Sequence, residues 1–318
     1  MRLRRTYQMD RRDNIMVETI IKAAVLVSII ILANVLTTRG YFIRERDFDT
    51  ISKLIFYLTL PSAIISNLNG LSFPPTLIII SIIGFLCNWV YIIFSHVLGK
   101  TPTEKGFLML NMNGYNIGNF SLPFISFFFS EVAILAVSLF DAGSAFMVLG
   151  GNYGMAKSVR DGESKINIRY ILRTMMSSPS VIVYIVMITL SLFSLQLPSF
   201  VTDVTQIIGN GNTFLSMFMI GVALDLRIHK EHVRLLIKAL SGRYIVAAGI
   251  SVLLYFLLPF SLEIRQTLAI LAFAPVSGVA TMYTRMYGEN FELSAIINSL
   301  SIIISIIIMS MLLVVWQV

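Results

Sequence analysis

Residues 111–123 read Asn111-Met112-Asn113-Gly114-Tyr115-Asn116-Ile117-Gly118-Asn119-Phe120-Ser121-Leu122-Pro123, a polar, glycine-rich stretch inside an otherwise apolar run from 106 to 129. It is too polar and too flexible to face lipid. A second stretch, Ala272-Phe273-Ala274-Pro275-Val276-Ser277-Gly278-Val279-Ala280-Thr281, interrupts the run 265–286 with proline and glycine close together. Proline lacks an N–H and clashes with the carbonyl four residues back, so in mid-helix it frees backbone groups that hydrocarbon cannot satisfy. Asn and Ser side chains repair such groups or bind a ligand. Either stretch alone reads as an ordinary proline kink with small residues for close packing, Gly114-xxx-Gly118 and Ala274-xxx-Gly278. Their occurrence at equivalent places in two halves of the chain favours a paired site.

The surrounding composition sets the solvent. The chain has 318 residues, 56% of them hydrophobic and 13% charged, with a mean hydropathy of +0.82. Water is not the main solvent of such a sequence. A spanning helix takes about 20 apolar residues, so ten to twelve spans fill the length. The only cysteine, Cys87, lies in an apolar run and has no partner for a disulfide or thiolate metal site. The net charge of +7 is scattered over short connections without interleaved aromatics, which argues against nucleic acid and for membrane topology.

Apolar windows and their polar breaks predict helices at 17–36, 51–68, 75–98, 106–129 and 131–152, and again at 179–197, 201–224, 236–260, 265–286 and 292–316. A polar tail, 1–16, precedes them and a cytoplasmic linker, 153–178, joins the two sets of five. The cut least marked by turn residues is Ser130-Glu131, between the fourth and fifth helices. The expectation is therefore an all-α integral membrane protein of ten transmembrane helices. Because five is odd, the second half runs through the membrane upside down relative to the first, giving two inverted five-helix repeats. Such repeats place the substrate near the bilayer midplane, where interrupted helices leave half-helix ends pointing at the ligand.

Cytoplasmic connections carry the excess of Lys and Arg. With both termini extracytoplasmic, Arg39, Arg44, Arg46, Lys53, Lys100, Lys105, Lys157, Arg160, Lys165, Arg169, Arg173, Arg227, Lys230, Arg234, Lys238 and Arg285 fall inside, and only Arg265 falls in an outside connection. The tail opposes this with Arg2, Arg4, Arg5, Arg11 and Arg12, although Met9 and Met16 offer alternative starts. No cleavable signal peptide is expected, since the first apolar run is long and lacks a small-x-small site.

At these residues the chain resembles the auxin efflux carrier family, whose plant members include the PIN carriers and which belongs with the bile-acid and arsenite transporters. The likeness spans Lys53 to Pro61 in predicted helix 2, Asn116 to Pro123 in helix 4 and Phe140-Asp141 in helix 5. It continues through Ser178-Pro179, Leu197-Pro198, Gly209-Asn210, Gly221 to Leu224, Ala274-Pro275 and the Tyr287-Gly288-Glu289 turn. The resemblance implies a scaffold of helices 1, 2, 6 and 7 and a mobile transport domain of helices 3–5 and 8–10. Broken helices 4 and 9 are expected to cross at Pro123 and Pro275. It implies elevator-type, alternating-access carriage of a small organic anion, auxin-like or a small dicarboxylate such as malate or malonate, in the plasma membrane. A homodimer is a candidate assembly. Thr213-Phe214-Leu215 departs from a family stretch that often contains proline, which bears on the scaffold rather than the site.

The substrate-binding candidates are Asn116, Asn119, Ser121, Pro123, Pro275, Ser277 and Gly278, aided by freed backbone N–H groups. Asp141, deep in an apolar stretch, is the candidate for ion or proton coupling, set against a purely structural acceptor role. No cofactor and no metal is expected beyond a proton or sodium as coupling ion; His229 and His232 in a charged turn lack further ligands. Arg243 and Arg285, inside or near predicted helices 8 and 9, are weighed as contacts for an anionic substrate against snorkelling to the cytoplasmic interface, and snorkelling is the expectation for both. The reading outside transport is a membrane-embedded enzyme such as an intramembrane aspartyl protease, which needs two facing carboxylates where only Asp141 is plainly buried. A receptor is the third reading.

Overall fold

The computed structural model describes residues 2–40, 43, 47–70, 77–161, 179–224 and 232–316, with the single positions 169, 173 and 176. All regular elements among the described residues are helical. We number them α1 (Arg2–Thr38), α2 (Phe48–Leu68), α3 (Ile78–Leu98), α4 (Pro102–Met112), α5 (Leu122–Ile125), α6 (Glu131–Asp161) and α7 (Pro179–Leu192). They continue as α8 (Ser199–Asn210), α9 (Asn212–Ala223), α10 (Val233–Leu257), α11 (Leu262–Leu271), α12 (Val279–Tyr287) and α13 (Phe291–Trp316). Among the described residues six helices are long and apolar enough to cross a membrane: α1 over Ile20–Thr38, α2, α3, α6, α10 and α13. The rest are shorter, and three predicted helices are each built from two pieces: α4 with α5, α8 with α9, and α11 with α12.

Prolines leave their imprint on two elements in the same way. Ahead of Pro61, residues Ile55–Thr59 of α2 form a π turn closed by the Leu60 N–H on the Ile55 carbonyl. Ahead of Pro123, Ile117–Ser121 form another, closed by Leu122 on Ile117. The absent N–H and the ring clash at the carbonyl four residues back widen the helix to i→i+5 bonding. α6 is likewise kinked at Gly150-Gly151.

Small residues fix the main helix pairs. A Cβ on Gly143 of α6 would stand 1.7 Å from the Ser81 carbonyl oxygen of α3, so these two backbones are in contact. The Ser81 hydroxyl adds a 2.8 Å bond to the Leu139 carbonyl. In a second group of helices α1 packs chiefly on α9 and α2 on α8. There the Asn34 amide donates to the Gly221 and Leu224 carbonyls, and the Ser66 and Thr59 hydroxyls bond to Thr205 and Asn212.

Several boundaries differ from expectation. The helix of α1 continues back through the polar tail to Arg2, and α6 runs past 152 to Asp161, so the linker begins later than predicted. The weakly marked cut at Ser130-Glu131 is a helix start, with Ser130 extended as N-cap and its N–H held by Glu263 at 3.0 Å. Most of the linker and residues 225–231, which include His229, lie outside the described residues.

Candidate functional site: the paired helix breaks

α4 stops at Met112, and the chain is non-helical from Asn113 to Asn116 before the π turn begins. Gly114 sits there at φ 82°, a left-handed conformation that side chains disfavour. In the second half, α11 stops at Leu271 and the chain is irregular to Gly278. The two breaks meet: the Asn116 N–H donates to the Pro275 carbonyl at 3.0 Å.

Most freed backbone groups find a donor or acceptor from neighbouring helices, as a buried break requires. The Val276 N–H donates to the Ser301 hydroxyl at 3.0 Å, and the Val276 carbonyl accepts from the Asn298 amide at 2.8 Å. Gly114 N–H bonds to the Asn113 carboxamide, whose amide reaches Asn152 at 2.7 Å. The Arg243 guanidinium donates to both the Met112 and Ala274 carbonyls at 2.5 Å. Just below, Asn111 ties α4 to α12 and α13 through Thr284 at 2.9 Å and Ser294 at 2.5 Å.

A cavity of about 110 Å³ opens beside the crossing, lined by Asn116, Ile117, Gly118, Asn119, Ser277 and Val279 from the breaks and by Asp141 of α6. Phe56 and Leu60 of α2 and Ser180 and Tyr184 of α7 close its other wall. The Asn116 and Asn119 carboxamides and the Ser277 hydroxyl make no side-chain hydrogen bond among the described residues and belong to residues that line this cavity. Asp141 is the one carboxylate in the lining. The Tyr184 hydroxyl lies within interaction range of Asp141 and Ser138 but completes a well-formed bond with neither. A single carboxylate does not make an aspartyl dyad.

The other candidates lie elsewhere. Ser121 is fully buried, with its hydroxyl turned back to the Asn116 carbonyl at 3.4 Å. Pro123 is not at the crossing: it stands in the first turn of α5 and lines a separate cavity of about 470 Å³. Glycine 114, not proline 123, marks where the fourth segment breaks. Pro275 contributes its carbonyl from a buried position, and Gly278 is exposed with open space around it. The larger cavity brings together Asn67, Gln206, Asn210 and Asn212 with Glu131, residues that sequence reasoning did not select. Only the Gly209-Asn210 pair gave a sign of them.

Arg243 corrects a further expectation. It does not snorkel; it is fully buried and spans the two breaks. Arg285 is exposed, with its guanidinium 5.2 Å from the Phe291 ring centroid. His232 bonds to Asn290 at 2.8 Å, and no group of three metal-ligating side chains occurs among the described residues.

A family model described as membrane transport protein matches residues 18–313, from the first helix to the last. The chain belongs to this family, which includes the auxin efflux carriers; it is a family of transporters, not of enzymes. No curated protein matches the chain.

Proposed function

We propose that this protein is a secondary transporter that carries a small organic anion by an elevator-type motion. The observation that carries the reading is the bond between two helix breaks, Asn116 to Pro275, beside a cavity walled by helices from both groups. The breaks fall in the fourth of five predicted helices in each half, the pattern of an inverted repeat with ten crossings and both termini outside.

In this reading α1, α2, α7, α8 and α9 form the scaffold, and α3–α6 with α10–α13 form the moving domain. The packing of α1 on α9 and α2 on α8, and of α3 on α6 and α10 on α11, supports that division. Asn116, Asn119 and Ser277 offer neutral polar groups at the site, and the N-terminal end of α12 adds partial positive charge. These groups suit a carboxylate. The cavity is well below the roughly 300 Å³ at which drug-sized ligand sites begin, which favours a small mono- or dicarboxylate. Asp141 and Tyr184 face the same space and would carry a coupling proton.

Purified protein in proteoliposomes, offered labelled mono- and dicarboxylates with and without proton and sodium gradients, tests this. Accumulation of an unaltered carboxylate is the expected outcome. Failure of every carboxylate to enter, or release of a chemically altered product, overturns it.

A further inference from the structure

Arg243 is the only charged side chain fully buried among the described residues, and the proposed substrate site makes no use of it. Its guanidinium sends one N–H to each break, to Met112 and to Ala274. Its flat faces lie near Tyr91 and Tyr115, with ring centroids at 5.4 Å and 5.7 Å. No carboxylate pairs with it; the ion pairs among the described residues are Arg160–Asp161 and Lys238–Glu104. Burying an unpaired cation is costly, so something else must supply negative charge.

The two acceptors identify that source. Met112 is the last residue of α4, and Ala274 follows the end of α11 by three residues. A helix C-terminus carries about half a negative elementary charge. Two such ends converge on one guanidinium, so roughly one negative charge meets one positive charge. The approach is close enough for this because Gly242 brings α10 against the end of α4: a Cβ there would stand 2.6 Å from the Met112 methyl carbon. In transporters built on broken helices, half-helix C-terminal ends and unwound carbonyls are the ligands of coupling sodium ions or protons.

We propose that Arg243 is the fixed counter-cation of the crossing, a positioning residue that holds both breaks in register and occupies the place of a coupling sodium ion, so that transport proceeds without sodium. The proposal rests on the transport reading above and deepens it. A side chain cannot leave with the substrate, so the crossing stays assembled whether the site is loaded or empty.

Two measurements test it, one of which needs no substrate. In proteoliposomes, wild-type uptake of the carboxylate that is carried is expected to be unchanged when choline replaces sodium. Arg243→Ala is expected to lose uptake by roughly 100-fold or more, as two charge-assisted bonds are removed, with several-fold recovery on adding millimolar methylguanidinium. Arg243→Lys is expected to retain part of the activity. Sodium-dependent wild-type uptake overturns the proposal, as does an Arg243→Ala variant that transports normally.

In detergent, amide hydrogen exchange at residues 113–117 and 274–278 is expected to accelerate in Arg243→Ala, to slow again with methylguanidinium, and to change little in Arg243→Lys. Unchanged exchange in Arg243→Ala overturns the proposal. If no carboxylate is transported at all, the exchange result still decides the role of Arg243, while the substrate reading fails separately.

Discussion

Replacing Asn119 by alanine separates binding from folding, because the structure gives that carboxamide no hydrogen bond to lose. It lines the crossing cavity, half-buried, with neither its oxygen nor its nitrogen bonded to another described residue. Truncation therefore costs little stability, within about 0.5 kcal/mol, and moves the melting temperature by about 2 °C or less. If the amide donates to a carboxylate, the lost bond is charge-assisted and contributes about 1.5–3 kcal/mol. That corresponds to a fall of roughly 10- to 150-fold in kcat/KM for uptake.

Asn119→Asp sharpens the test, since it keeps the shape and reverses the electrostatics. Two like charges about 4 Å apart at an effective dielectric of about 20 repel by about 4 kcal/mol, so anion uptake should fall further than in the alanine variant. The assay is initial-rate uptake in proteoliposomes over a concentration series, with a thermal melt of the same preparation. Unchanged kcat/KM across a panel of carboxylates, with a normal melt, refutes the placement of the substrate at this carboxamide.

Asp141→Asn should abolish uptake driven by an inward proton gradient while exchange of labelled for unlabelled substrate at equal pH continues; equal loss of both would assign Asp141 a structural role. Gly143→Leu should prevent α3 and α6 from meeting, because the added Cβ alone stands 1.7 Å from the Ser81 oxygen, and the readout is loss of monodisperse protein on size exclusion. Gly114→Ala should destabilise by about 1–2 kcal/mol through its left-handed φ, measured as a lowered melting temperature. Asn111→Leu removes bonds to Phe107, Thr284 and Ser294 and should cost about 2 kcal/mol, at roughly 0.6 kcal/mol for each membrane-buried bond.

The polar break at 111–123 was legible because lipid does not tolerate unpaired amides, and Pro275 located its counterpart by the same physics. Where the first segment stops was misjudged. Pro123 widens the helix ahead of it into a π turn, whereas the chain leaves the helix at Asn113-Gly114, where only glycine adopts φ 82° without strain. Arg243 was hidden because its acceptors are backbone carbonyls 131 and 31 residues away, which carry no side-chain signature. Asn298 and Ser301 lie in the apolar helix α13, and only the three-dimensional packing brings them to Val276, 22 and 25 residues away. The amide-lined cavity around Asn67, Gln206, Asn210 and Asn212 draws on three helices, so no local pattern announces it.

If the proposed function is right, a small carboxylate passes unchanged through the crossing of the two breaks. Side-by-side uptake of labelled carboxylates by wild-type and Asn119→Ala proteoliposomes tests it most directly. Accumulation of at least one intact carboxylate by the wild type and a loss of roughly 10-fold or more in the variant are the expected results. Accumulation that is the same in both, or in neither, would contradict it.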